Sequence, residues 1–183
     1  MKKAAGDHNF IHHWWFVKYH LEIVEKIALE LCGKYPKADK DLVILLVWLH
    51  DYGKIIDYKR QYEGTLIVGK KKLLEIGFPN EFVGKSISYI EIFDKKENLE
   101  DAPIEVQIVS SADGASHLTG PFYEIFWKEF HDWTYEELLS ENKRKAIVDW
   151  EKKIVLPEIK EAFFERQKIL LEHCNKLPEK YLR

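Results

Sequence analysis

The sequence predicts an all-α protein, a single-domain helical bundle. Apolar residues recur at helical spacing along almost all of the 183 residues, and no stretch keeps the alternation of a half-buried strand. A chain of this length that is 46% hydrophobic can bury one sizeable core, so residues 1–183 are expected to form one unit.

Each element has its own signal. The first helix is expected from about Asn9 to Cys32, with Phe16, Ile23, Val24, Ile27, Leu29 and Leu31 inward, and with Gly33 ending it before Pro36. Asp39 can cap a second helix, whose run from Leu42 to Trp48 is apolar nearly all round and marks the buried centre. Gly53 and the polar stretch from Asp57 to Gln61 read as a loop, and Thr65 to Ile76 as a helix stopped at Gly77. Pro79 suits the first position of the next helix, which runs to about Phe93. Asp94 to Asp101 is charged and reads as a solvated loop, after which Pro103 opens a helix through Asp113 to about Leu118. Gly120-Pro121 separates this from an aromatic segment, Phe122 to Phe130. Thr134 followed by Glu137 has the capping-box pattern and starts a helix towards Lys153; Pro157 interrupts, and a last helix covers about Glu158 to Asn175. The C-terminal third, about 121–175, reads as a packing extension and not as a separate domain.

Composition narrows the function. Twenty-eight basic residues nearly balance thirty-one acidic ones, for a net charge of -3, which argues against polymeric nucleic acid or an anionic membrane as partner. Cys32 and Cys174 match no metal-ligand spacing and read as reduced thiols. The polar start lacks a signal peptide's apolar stretch, and the run from Leu42 to Leu49 is far short of the ~20 residues that span a bilayer. A cytoplasmic protein is expected.

The chemistry concentrates where the most apolar helix stops, at Trp48-Leu49-His50-Asp51-Tyr52-Gly53-Lys54. Adjacent helical side chains point about 100° apart, so an imidazole and a carboxylate reach one ion only at a helix edge, which a terminus followed by Gly supplies. A buried carboxylate needs a positive partner, and a divalent cation suffices. His20 lies near the buried face that also carries Val24, Ala28 and Leu31, and Asp113 follows the apolar Ile104, Val106, Ile108 and Val109. His20, His50, Asp51 and Asp113 make a mixed nitrogen and oxygen set that suits Mn, Fe, Co, Ni or Zn, and Mg less well.

These residues resemble the HD domain superfamily of metal-dependent phosphohydrolases, whose pattern is H…HD…D. His20 is similar to the first histidine, Leu45 to Lys54 to the apolar run ending in HDxGK, and Ile108 to Asp113 to the final AD, while Leu73 through Gly77 to Pro79 fits the LL…GxP stretch. The resemblance covers a core of about 9–118 and implies a metal-activated water that attacks a phosphate ester, first of all a nucleotide. It also implies Asp51 as ligand and water-orienting group; Lys54 could neutralise a phosphate oxygen, and His117, four residues after Asp113 and on the same face, could reach the substrate phosphate or be a surface or core histidine. Many members place two more histidines between the doublet and the last Asp for a second metal. None occurs here between His50 and His117, where Glu63 and Glu91 stand instead, so one ion per chain is expected, with Glu63 as a candidate base.

Plainer readings stay beside these. His12 and His13 could compete with His20 for the ion or simply pack with Trp14 and Trp15; Lys54 could only pair with Asp51 or Asp57. Phe122 to Trp127 could stack on a base or pack in the core or a dimer, so a homo-oligomer stays open. A ligand-sensing or partner-binding module without turnover is the alternative to an enzyme.

Overall fold

The computed structural model describes residues 1–119, 122–123, 129–130, 132–175 and 180, and among these there are helices and no strands. A short α1 (Lys2–Ala5) leads through turns to a π-helical turn, Val17–Leu21, that runs into α2 (Glu22–Lys34). Helix α3 is Lys40–Leu49 and α4 is Tyr52–Ile56. After a 3-10 turn at Tyr58–Arg60, α5 (Gln61–Gly64), a second π turn (Thr65–Gly69) and α6 (Lys70–Glu75) form one continuous rod. Helix α7 is Asn80–Lys95, α8 is Ile104–Ser116, and α9 (Tyr135–Val148) passes through a third π turn, Asp149–Lys153, before α10 (Pro157–His173).

The central trio is α2, α3 and α8, which pack on one another. Their apolar residues, among them Val24, Leu31, Leu42, Leu46, Val47, Ile108 and Val109, share a core with Val83 and Ile90 of α7 and with Ile154, Leu156 and Ile159. Each such side chain contributes about 1.5–3 kcal/mol on full burial. A second cluster joins Phe10, Trp15, Phe16 and Leu21 to Phe122, Tyr123 and Ala146.

The caps follow the sequence closely. The Asp39 carboxylate accepts from the Leu42 N–H at 3.1 Å, and Thr134 and Glu137 form both bonds of a capping box. Pro79 and Pro103 stand just before α7 and α8, and Pro157 is the first residue of α10 and not a kink. Gly77 ends the α6 segment at φ 93°, where other residues are strained.

Three boundaries differ from expectation. Asn9 to Trp15 is not helical: it is a chain of turns, from which Phe10 and Trp15 join the second cluster. Helix α2 continues through Gly33 to Lys34. The expected loop after Gly53 is largely helical, with α5 starting at Gln61. Gly53 permits this, because a Cβ there would lie 1.7 Å from the Gln61 carbonyl oxygen and 2.6 Å from the Thr65 nitrogen. Of the aromatic segment, Phe122 and Tyr123 are buried, whereas 124–128, including Trp127, lie outside the described residues.

No described helix is long and apolar enough to cross a membrane.

Candidate metal centre

Helix α3 stops at Leu49, with His50 as its C-cap, and Asp51 stands as N-cap of α4 at φ −108° and ψ 14°. The break turns both side chains inward at the helix edge. The Asp51 carboxylate caps no amide of its own helix, so its oxygens remain available to the site. Gly53 donates its N–H to Thr65 Oγ1 at 2.9 Å, which fixes α4 against the α5 rod just beyond the doublet.

The four residues singled out in the sequence converge. His20 Nε2 lies 3.3 Å from Asp51 Oδ2 and 3.6 Å from Asp113 Oδ1, and His50 Nε2 lies 3.5 Å and 3.8 Å from the same two oxygens. All four are buried. Ligands bound at about 2.0–2.2 Å to one ion are spaced like this.

The hydrogen bonds behind the imidazoles fix their protons. His50 Nδ1 is 2.8 Å from the Val47 carbonyl, which can only accept, so this nitrogen carries the hydrogen. Ser116 gives its one hydroxyl proton to the Asp113 carbonyl at 2.7 Å, and its oxygen therefore accepts from His20 Nδ1 at 3.1 Å. In the neutral form each ring turns its Nε2 lone pair towards the carboxylates, and His50 Nε2 is buried with no hydrogen-bond partner among the described residues. Two imidazole nitrogens converging on two buried carboxylates make a donor set that a cation can bind.

Charge agrees with that reading. Burial works against the Asp51 carboxylate, but Lys54 and the two histidines outweigh it and hold its pKa well below the usual carboxylate range. Burial likewise opposes ionised Asp113, and Lys153, His117, His50 and His20 overcome it. Burial also lowers His20 despite the neighbouring carboxylates. Ionised carboxylates and neutral imidazoles are the forms that bind metals.

Further residues complete the surroundings. Lys54 Nζ lies 2.6 Å from Asp51 Oδ2, and Lys153 Nζ lies 2.6 Å from Asp113 Oδ2 and 3.3 Å from Asp149 Oδ1. Burial lowers the Lys153 ammonium's pKa, yet Asp113 and Asp149 raise it overall. Lys153 is buried because α8 offers a small face to its segment: Ser110 Oγ donates to the Lys153 carbonyl at 3.0 Å, Ser111 Oγ accepts from Val155 and Leu156, and Gly114 admits Ile154. His117 is buried, with Nδ1 2.7 Å from Asp149 Oδ2 and Nε2 3.6 Å from Asp113 Oδ1; burial and then Lys145 push its pKa down to about 3.

The centre floors a cavity of about 350 Å³. Its walls carry the cations Lys54, Lys96, Arg144 and Lys145 and the rings of Trp15, Tyr58 and Phe122. Asp94 also lines it, with one oxygen buried and without a hydrogen-bond partner among the described residues; burial, then Asp51, raises its pKa to about 7. His12 lies on the cavity wall, away from the four converging groups, and pairs with Glu129 at 2.7 Å.

Glu63 is placed elsewhere. It is half exposed and ion-paired to Arg60 at 2.6 Å, and it is not among the cavity's lining residues; Glu91 is exposed on α7. Sequence reasoning did not single out Asp94, Lys145, Asp149 or Lys153. The spacing Lys145, Asp149, Lys153 was visible, but four-residue charge pairs ordinarily lie on solvated faces.

The comparisons with known proteins agree with the geometry. No curated protein and no solved structure matches the chain significantly. Residues 17–116, just over half of the chain, match the HD domain and contain His20, His50, Asp51 and Asp113. The chain therefore belongs to the HD domain family, a family of metal-dependent phosphohydrolases.

Proposed function

We propose that this protein hydrolyses a small phosphate ester, first of all a nucleotide, at one divalent ion per chain held by His20, His50, Asp51 and Asp113. The observation that carries the reading is the meeting of two imidazole Nε2 atoms and two carboxylates at 3.3–3.8 Å beside a cavity that His20, Asp51 and Asp113 line and that also carries lysine side chains. Two nitrogen donors favour Mn, Fe, Co, Ni or Zn over Mg. Such an ion supplies a Lewis acid for the phosphoryl oxygen and a water made acidic enough to attack near neutral pH.

The chain's own groups do the rest. Lys54 stands at the cavity with a quarter of its side chain exposed, so its ammonium can turn from Asp51 to a phosphoryl oxygen and offset developing charge. Lys96 adds positive charge on the wall, where Arg144 is paired with Glu141, while Trp15, Tyr58 and Phe122 give apolar surface to a base or another ring. Asp94, protonated up to about pH 7, can give a proton to the leaving oxygen. Glu63 is too far out on the surface to serve as the base.

The test is release of phosphate from nucleoside mono- and triphosphates and from p-nitrophenyl phosphate by chelated protein refilled with each metal in turn. Metal-dependent release that disappears in Asp51→Ala supports hydrolysis. Nucleotide binding without release under any metal makes the protein a sensor instead.

A further inference from the structure

Beyond the four family residues, one buried imidazole faces the centre from outside the matched segment. His117 continues the last turn of α8, four residues after Asp113 and on the same face. Its Nδ1 lies 2.7 Å from the Asp149 carboxylate, which can only accept when ionised, so the ring hydrogen is on that side. The Nε2 lone pair then points at Asp113 Oδ1, 3.6 Å away. That single oxygen is thus faced by the Nε2 atoms of three histidines, at 3.6 Å for His20, 3.8 Å for His50 and 3.6 Å for His117.

In its neutral form each of the three rings turns an Nε2 lone pair at this oxygen. The ligand atoms of His20, Asp113 and His117 lie within 4.8 Å of one another, as do those of His20, His50 and Asp51. The two sets share His20, and Asp113 Oδ1 faces histidines of both. An ion that serves both would sit where they meet, at His20 Nε2 and Asp113 Oδ1. A carboxylate behind a ligating imidazole is the usual device for fixing the ring and raising its basicity. Asp149 is in that position, and it is buried and held by Lys145 and Lys153 at 3.3 Å each.

We propose that His117 is a fifth protein ligand of the ion, positioned by Asp149, so that the C-terminal segment is part of the metal centre. The proposal rests on the metal centre described above and reassigns His117 from the substrate to the ion. Three nitrogens and two oxygens leave one position of an octahedral ion for water or substrate, and further disfavour Mg.

The full chain is loaded with Zn and, separately, Co, and X-ray absorption at the metal edge counts imidazoles. In parallel, chelator competition gives the affinity of wild type, His117→Gln and Asp149→Asn, with circular dichroism on each. The expected result is three imidazoles in wild type and two in His117→Gln, with affinity about 10–100-fold lower in Asp149→Asn and lower still in His117→Gln. Two imidazoles in wild type, or an unchanged affinity in a folded His117→Gln, overturns the fifth ligand and leaves the four-ligand centre standing. Two ions per chain, one of them lost with His117, also overturns it, in favour of two separate sites. Wild type that takes up no ion removes the metal centre itself, and this proposal with it. The imidazole count on wild type decides the matter even if a variant misfolds.

Discussion

Lys54 Nζ and Asp51 Oδ2 lie 2.6 Å apart, and this oxygen is the same one that faces His20 and His50. An ammonium and an incoming cation therefore compete for one carboxylate atom. In Lys54→Ala the ion is expected to bind as tightly as in wild type or more so, while turnover falls about 100-fold through lost charge stabilisation. Lys54→Arg restores turnover only in part, because a planar fork does not replace a point charge. Chelator competition and phosphate release on both variants check this, and unchanged turnover in Lys54→Ala takes Lys54 out of the site.

Lys153 is the counterion of two buried carboxylates. Replacing it with Met takes the only lysine partner from Asp113 among the described residues and leaves Asp149 with Lys145 and His117, at a cost of about 3–5 kcal/mol in the metal-free protein. A bound divalent ion supplies part of the missing charge. The loss in melting temperature should accordingly shrink when Zn is added, as thermal scans with and without chelator will record.

Asp94 gives a pH dependence with a definite sign. Its folded pKa, about 7, lies above the usual carboxyl value of about 3.9, so between the two the folded state holds the extra proton. The stability from that proton is fully present below about pH 4 and is lost as pH rises through about 7. Metal-free wild type should show this decline against Asp94→Asn between pH 5 and 8 in urea titrations; parallel curves for the two proteins would remove Asp94 as its source.

Gly53→Ala places a methyl carbon into the Gln61 carbonyl and the Thr65 amide, which are backbone and cannot swing away. A destabilisation of at least about 1–3 kcal/mol is expected. Metal affinity should fall as well, since α4 must shift away from the doublet. Gly33→Ala, where no atom lies within 4 Å of the added carbon, is the control and should be neutral or slightly stabilising.

The converging set was legible in the sequence because His50, Asp51 and Asp113 end or interrupt a strongly apolar helical pattern, which is a local signal, and because His20 shares the spacing of Val24, Ala28 and Leu31 and the order of the family pattern. Asp149 and Lys153 carry no such mark. With Lys145 they look like an exposed ladder of charges four residues apart, and only the small face of α8, at Ser110, Ser111 and Gly114, brings them under cover. The start of α2 was misplaced for a related reason. Phe10, Trp15 and Phe16 have helical spacing in part, but their rings meet Phe122 and Tyr123 from a chain of turns, a partnership that periodicity cannot register. Glu63 was a candidate by elimination, and the neighbour that claims it, Arg60, stands three residues away.

A π turn is a helix carrying one residue more than the α ladder would hold, and the turn at Val17–Leu21 carries His20. Since each residue adds about 100° of rotation, excising one residue there would preserve a helix and yet swing everything before it by more than a quarter turn. Trp15 and Phe16 would leave Phe122, while α2 stayed anchored in the core. The length of this stretch is thus a setting in its own right: the chain can accept a change of side chain at Lys18 more easily than the gain or loss of a single link.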